Sequence, residues 1–80
     1  MKTHEAVSRR IRELCYEHHF SANAMSAASG VPVATVKSIH SGDSRNPGIR
    51  TIQRLCNGFG ITIKEFFNSP LFDQIDEDDD

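Results

Sequence analysis

The sequence predicts an all-α domain of five short helices around one core. Three observations lead there. Apolar residues recur at three- and four-residue spacing in successive segments, the mark of helices with one buried face. Gly30, Gly42, Gly60 and Pro70 punctuate those segments where helices are expected to end. No run alternates apolar and polar residues as a half-buried strand would, and no internal repeat is present. At 80 residues the chain makes one domain, small enough that each large apolar side chain counts toward the core.

The first helix is expected from Thr3 to His18. Thr3 can cap it, and Glu5 lies in the first turn, where the helix dipole favours a negative charge. Val7, Ile11, Leu14 and Cys15 form its buried stripe. The second helix opens after Ser21, a good N-cap residue, and carries Met25 and Ala28 inward. Gly30-Val31-Pro32 makes a tight turn. The third helix covers residues 32–41, opening at Pro32 because a first-turn proline loses no hydrogen bond. Val36 and Ile39 face its core side, and Gly42 ends it in a left-handed conformation.

Asp43 to Gly48 is a polar loop. The fourth helix places Ile49, Ile52, Leu55, Cys56 and Phe59 on one stripe and stops at Gly60. Thr62-x-x-Glu65 is a capping box, so a short fifth helix carries Ile63, Phe66 and Phe67 until Asn68-Ser69-Pro70 breaks it. The body is therefore residues 1–70, and residues 71–80 form an acidic tail expected to be largely disordered.

Two features point toward function. Helices two and three, joined by a single glycine turn, must cross steeply, which is the helix-turn-helix arrangement. It holds the second helix of the pair proud of the body, where it can enter a DNA major groove. The second feature is charge. Residues 1–70 hold all nine Lys and Arg against five acids, a net +4, whereas residues 71–80 hold six acids and no base. The total of −2 hides a basic body suited to an anionic partner.

From Val7 to Phe67 the chain resembles the lambda-repressor-like and Cro-like (XRE) helix-turn-helix regulators. The resemblance rests on Ile11-Arg12-Glu13-Leu14, Phe20-Ser21, Gly30-Val31-Pro32, Thr35-Val36 with Ile39, Gly42 and Asn46-Pro47. It continues through the Ile49, Ile52, Leu55 and Phe59 stripe to Gly60-Ile61-Thr62. It implies sequence-specific binding of double-stranded DNA, usually by a homodimer on a palindromic operator. Three departures stand out. The glutamine frequent at the second position of helix two is Ala22 here, so its role is either lost or taken by Asn23. Ser26 and Ser29 occupy positions that are usually apolar, so helix two is expected to pack more loosely than is typical. Asp43 follows the recognition helix and does not favour phosphate contact.

With Val36 and Ile39 inward, a helix turning 100° per residue presents Ala34, Lys37, Ser38 and Ser41 outward, with Val33 at the flank. These five are the expected base contacts. Lys37 can donate to guanine or phosphate, Ser38 to several base edges, and Ala34 and Val33 can touch a thymine methyl. Phosphates are expected at the start of helix two (Ser21, Ala22, Asn23) and at the start of helix four (Gly48), where free amides and the helix dipole attract anions. Arg45, Asn46 and Arg50 flank the second of these sites; Arg9, Arg10 and Lys2 come next. Phe66, Phe67, Leu71, Phe72 and Ile75 offer more apolar surface than a terminal helix needs, and are the expected dimer interface.

Other chemistry finds little support. Cys15-x-x-His18 has no second Cys or His pair at zinc-finger spacing, and both Cys15 and Cys56 fall on apolar stripes as packing thiols, so no metal site is expected. A disulfide between them stays open. No Gly-rich phosphate loop and no nucleophile with a placed base is visible, so neither a cofactor nor catalysis is expected. No signal peptide, long apolar run or lipidation motif is seen, and a cytoplasmic protein away from membranes is the simplest expectation. Two alternatives remain. The same fold can serve as a protein-interaction module, an antitoxin or an anti-repressor partner. The acidic tail can be a solubilising end, or it can fold back onto the basic face and lower non-specific DNA affinity.

Overall fold

The structure, a computed structural model, describes residues 1–76. They form α1 (Thr3–His18), α2 (Ala22–Ser29), α3 (Val33–Ser41), α4 (Ile49–Phe59) and α5 (Ile63–Phe67), closed by a 3-10 helix, Pro70–Gln74. The all-α, five-helix expectation holds. The acidic residues 77–80, expected to be disordered, lie outside the described residues.

One buried cluster explains the arrangement. Val7, Ile11 and Leu14 of α1 meet Met25 of α2, Val36 and Ile39 of α3, Ile52, Leu55 and Phe59 of α4, and Phe66 of α5. α2 packs on both α3 and α4, while α1 packs on α3 and on the closing 3-10 helix. Each large side chain withdrawn from water contributes about 1.5–3 kcal/mol, so this cluster carries most of the driving force.

The helix ends follow local chemistry. Gly30, Gly42 and Gly60 all take the left-handed conformation after α2, α3 and α4. α1 ends without a glycine: His19 adopts φ 58°, and the Phe20 N–H donates to the Cys15 carbonyl at 2.8 Å. The Phe20 ring then stacks near His18 and Phe59, at centroid distances of 5.6 and 6.1 Å, which anchors the turn into α2. Ser21 caps α2 by accepting from the Ala24 N–H at 3.1 Å. Thr62 and Glu65 close the capping box of α5 in both directions.

Five expectations need correction. Thr3 is the first helical residue of α1 and Lys2 the cap; the Lys2 N–H donates to Glu5 Oε1 at 2.9 Å. Pro32 caps α3, whose first residue is Val33. Ala28 is exposed, because α2 turns Met25 and Ser29 toward α4 instead. Ile49 is 62% exposed, since it opens α4 beyond the part of the helix that other elements cover. The body also continues past residue 70: Ser69 accepts from the Leu71 N–H, Pro70 starts a 3-10 turn, and Phe72 packs on the core.

α2 is not loosely held. The Ser26 hydroxyl donates to the Val31 carbonyl at 2.6 Å. The Ser29 hydroxyl donates to the Met25 carbonyl at 2.7 Å and accepts from the Val31 N–H at 3.2 Å. The two serines replace apolar packing by tying down the turn that sets the angle of α3. Close approach does the rest. A Cβ on Gly58 would lie 2.5 Å from Met25 Cε and 3.1 Å from Ser29 Cα, so the glycine lets α2 lie directly on α4.

Candidate nucleic-acid interface

α3 buries Val36 and Ile39 and turns Ala34, Lys37 and Ser41 to solvent, with Val33 and Ser38 half-buried at the edges. Lys37 has no hydrogen-bond or ion-pair partner among the described residues. Ser41 is less free than expected. Its hydroxyl lies 3.1 Å from the Ser38 carbonyl and 3.0 Å from Asp43 Oδ2, and the Asp43 N–H approaches it at 3.4 Å. It organises the start of the loop.

Three helix N-termini have open amides. The first helical bond of α2 runs from the Met25 N–H to the Ser21 carbonyl, so after Ser21 has satisfied Ala24 the amides of Ala22 and Asn23 remain. α4 starts at Gly48 without any side-chain cap, leaving the amides of Ile49, Arg50 and Thr51. α3 starts at Pro32 in the same way. Such amides, aligned with the helix dipole, attract anions.

Charged side chains gather on one side. Lys2, His4, Arg9 and Arg12 from the α1 end and Arg45 from the α3–α4 connection line a cleft of about 460 Å³ that also reaches Ser41 and Gly42. Arg45 and Asn46 are exposed, as is Arg50 on the first turn of α4. The fold therefore brings Arg9 and Arg45 together beside the C-terminal end of α3.

Arg10 departs from expectation. Its guanidinium donates to the Phe66 carbonyl at 2.7 Å, the Glu65 carbonyl at 2.9 Å and Glu13 Oε1 at 3.2 Å. It caps the C-terminal end of α5 and is not available to phosphate. Phe66 is likewise removed from the expected dimer surface, because it is wholly buried. Phe67 and Phe72 pack on it and on each other, with centroids 4.9 to 6.1 Å apart, so both are half-covered. Leu71 and Ile75 are also half-buried.

Two residues that position α3 were not anticipated. Ser8, only 2% exposed, donates to the His40 carbonyl at 3.0 Å, and Arg12 donates to the same carbonyl at 3.1 Å. Together they moor the last turn of α3 to α1. The signal was present for Ser8, which stands three residues before Ile11 and seven before Cys15, on the inward side of α1.

Cys15 and Cys56 are buried free thiols, and loss of hydration raises both above the ordinary thiol range, with the nearby Arg10 charge partly opposing this at Cys56. Among the described residues no group of three or more His, Cys, Asp or Glu is placed to hold a metal ion. None of the described helices is long and apolar enough to cross a membrane.

Comparison with known proteins agrees with this geometry. Residues 10–70 match the family model of the Cro/C1-type HTH DNA-binding domain. The fold superposes on the crystal structure of the prophage Lp1 protein 11 with a TM-score of 0.76 and 32% sequence identity, over 94% of this chain and 100% of that one. No curated protein matches. The chain thus belongs to the Cro/C1-type helix-turn-helix family, whose members are DNA-binding regulators and not enzymes.

Proposed function

We propose that the protein is a small cytoplasmic transcriptional regulator, a repressor or autoregulator, that reads double-stranded DNA with α3 in the major groove. The observation that carries this reading is the outward face of α3, where Lys37 is exposed beside Ala34 and has no partner among the described residues. Val33 and Ser38 border the same face; Ser41 joins it where a base edge displaces Asp43. Phosphates on one side meet the amides of Ala22 and Asn23 next to Ser21. On the other they meet Gly48, Asn46, Arg45 and Arg50, with Arg9 extending the line along α1. α3 carries no Arg, Asn or Gln on its outward face, so bidentate base reading is absent and DNA shape contributes to specificity.

We further propose a homodimer on a palindromic operator. The half-covered Phe67, Leu71, Phe72 and Ile75 are the surface for it, narrower than the sequence suggested. An antitoxin or anti-repressor role would draw on the same half-covered surface; the exposed Lys37 face of α3 favours the DNA reading over it.

Selection of bound sequences from a random duplex pool at fixed salt tests the proposal. Lys37→Ala should relax base preference at the contacted position, at about 1–3 kcal/mol per lost good contact, whereas Arg50→Ala should weaken all sequences alike. An unchanged preference in the Lys37 variant would overturn the placement of α3.

A further inference from the structure

Tyr16 stands 84% exposed on α1, farther out than any other large apolar side chain among the described residues. The core does not use its ring. Tyr16 forms one wall of a cleft of about 410 Å³, where the end of α1 meets the start of α2 and the last turn of α3. Arg12, His19, Ser21 and His40 share that cleft, and no carboxylate lines it. Arg12 and Tyr16 lie one turn apart on α1. The chain then reverses at His19, which takes a left-handed conformation and donates its N–H to the Tyr16 carbonyl at 3.2 Å. The His19 imidazole and the Tyr16 hydroxyl are both exposed and have no partner among the described residues. Two residues on, Ser21 caps α2 beside the open amides of Ala22 and Asn23. The nearby acids of α1 are turned away: Glu13 pairs with Arg10, and Glu17 does not line the cleft.

We infer that Tyr16 and His19 hold a second phosphate of the DNA strand whose first phosphate sits on the Ala22 and Asn23 amides. This rests on the reading above, which puts that strand at the start of α2. A strand advances only about 3.4 Å along the duplex axis per phosphate, so the next phosphate settles close to the first. The cleft is the surface that adjoins it. A tyrosine hydroxyl and an imidazole N–H both donate to phosphate oxygens. Arg12 supplies the charge: one of its donors goes to the His40 carbonyl at 3.1 Å, and a guanidinium carries five N–H groups. Contacts to phosphate position a duplex without reading its bases, so the pair adds affinity and leaves sequence preference to α3.

The test uses the full chain and two readouts. The first is intrinsic emission. Tyr16 is the only tyrosine and there is no tryptophan, so the signal reports this position alone. After correction for duplex absorbance, it should be quenched as duplex is added, with the midpoint of the binding curve. Emission that stays unchanged at saturation would overturn the assignment. The second readout is affinity. Tyr16→Phe deletes only the hydroxyl and should bind the selected operator and a random-sequence duplex about three- to tenfold less tightly, both alike. Its salt dependence should match the parent's, because a neutral donor releases no counterion. His19→Asn, which keeps the left-handed turn, should cost a similar factor. Parent-like affinity in Tyr16→Phe would overturn the site, and in His19→Asn would remove the imidazole from it. A loss confined to one operator sequence would make Tyr16 a base reader and overturn the phosphate contact. The Lys37→Ala and Arg50→Ala variants separate the two levels: if they lose binding while Tyr16→Phe does not, this inference fails and the DNA reading stands. A parent chain that binds no duplex would overturn both.

Discussion

The carbonyl oxygen of His40 receives both Ser8 and Arg12, so the fastening of α3 can be tested one donor at a time. Ser8→Ala removes the buried donor and leaves the exposed one. We expect a loss of about 0.5–1.5 kcal/mol, the net worth of one hydrogen bond, seen as a lower midpoint in thermal unfolding. Adding Arg12→Gln should weaken duplex binding beyond the sum of the two single changes, because they share one acceptor. Glu5 gives a pH test. The Lys2 N–H bond, ahead of the positive charges at His4, the amino terminus and Arg9, holds its carboxyl below the ordinary glutamate range. A lowered folded pKa adds stability that is present above the unfolded carboxylate pKa and is lost as pH falls through the folded one. An NMR titration should therefore find Glu5 titrating at lower pH than a free glutamate, and Glu5→Gln should soften the acid dependence of stability.

At the scale of the element, the contact between α2 and α4 depends on Gly58. An alanine there would favour the helix by about 1 kcal/mol on propensity alone. It would also drive a methyl into Met25 and into the Ser29 backbone. Met25 is wholly buried and the Ser29 Cα at 3.1 Å belongs to the α2 backbone, so overpacking should win. Gly58→Ala is expected to destabilise by about 1–3 kcal/mol, measured by urea unfolding. An equal or higher midpoint would show that the two helices can separate freely. The same contact shows what a single chain of letters conveys. Caps and stops were readable because their chemistry is local: Ser21, Gly30, Gly42, Gly60 and the Thr62–Glu65 box all act where expected. The inward direction of α3 was readable from Val36 and Ile39. What lay hidden depends on a neighbour distant in sequence. Gly58 gives no local sign of its contact with α2, Arg10 was expected to meet phosphate and Ile49 to face the core, and only the placing of α2, α5 and the start of α4 decided them.

For the whole molecule, the question is how many copies meet the DNA. One chain presents one α3, and the longest dimension of the described residues is 35 Å. Two half-sites lie about 34–36 Å apart, so a palindrome requires two chains side by side. If the half-covered apolar surface joins them, Leu71→Asp with Ile75→Asp should shift sedimentation at tens of micromolar from dimer to monomer while leaving the helical signal intact. A parent chain that stays monomeric both free and on DNA would remove the proposed dimer. Phe66 is not a suitable probe, because its replacement would strike the core first.

The berth at His40 has one more consequence. Both donors grip a main-chain oxygen, and every amino acid carries one, so nothing in that attachment constrains the side chain at position 40. Ala34 and Lys37 take no part in it either. On the proposed reading, holding α3 is therefore separate from what α3 reads, and libraries randomised at 34 and 37 should yield folded variants with new operator preferences.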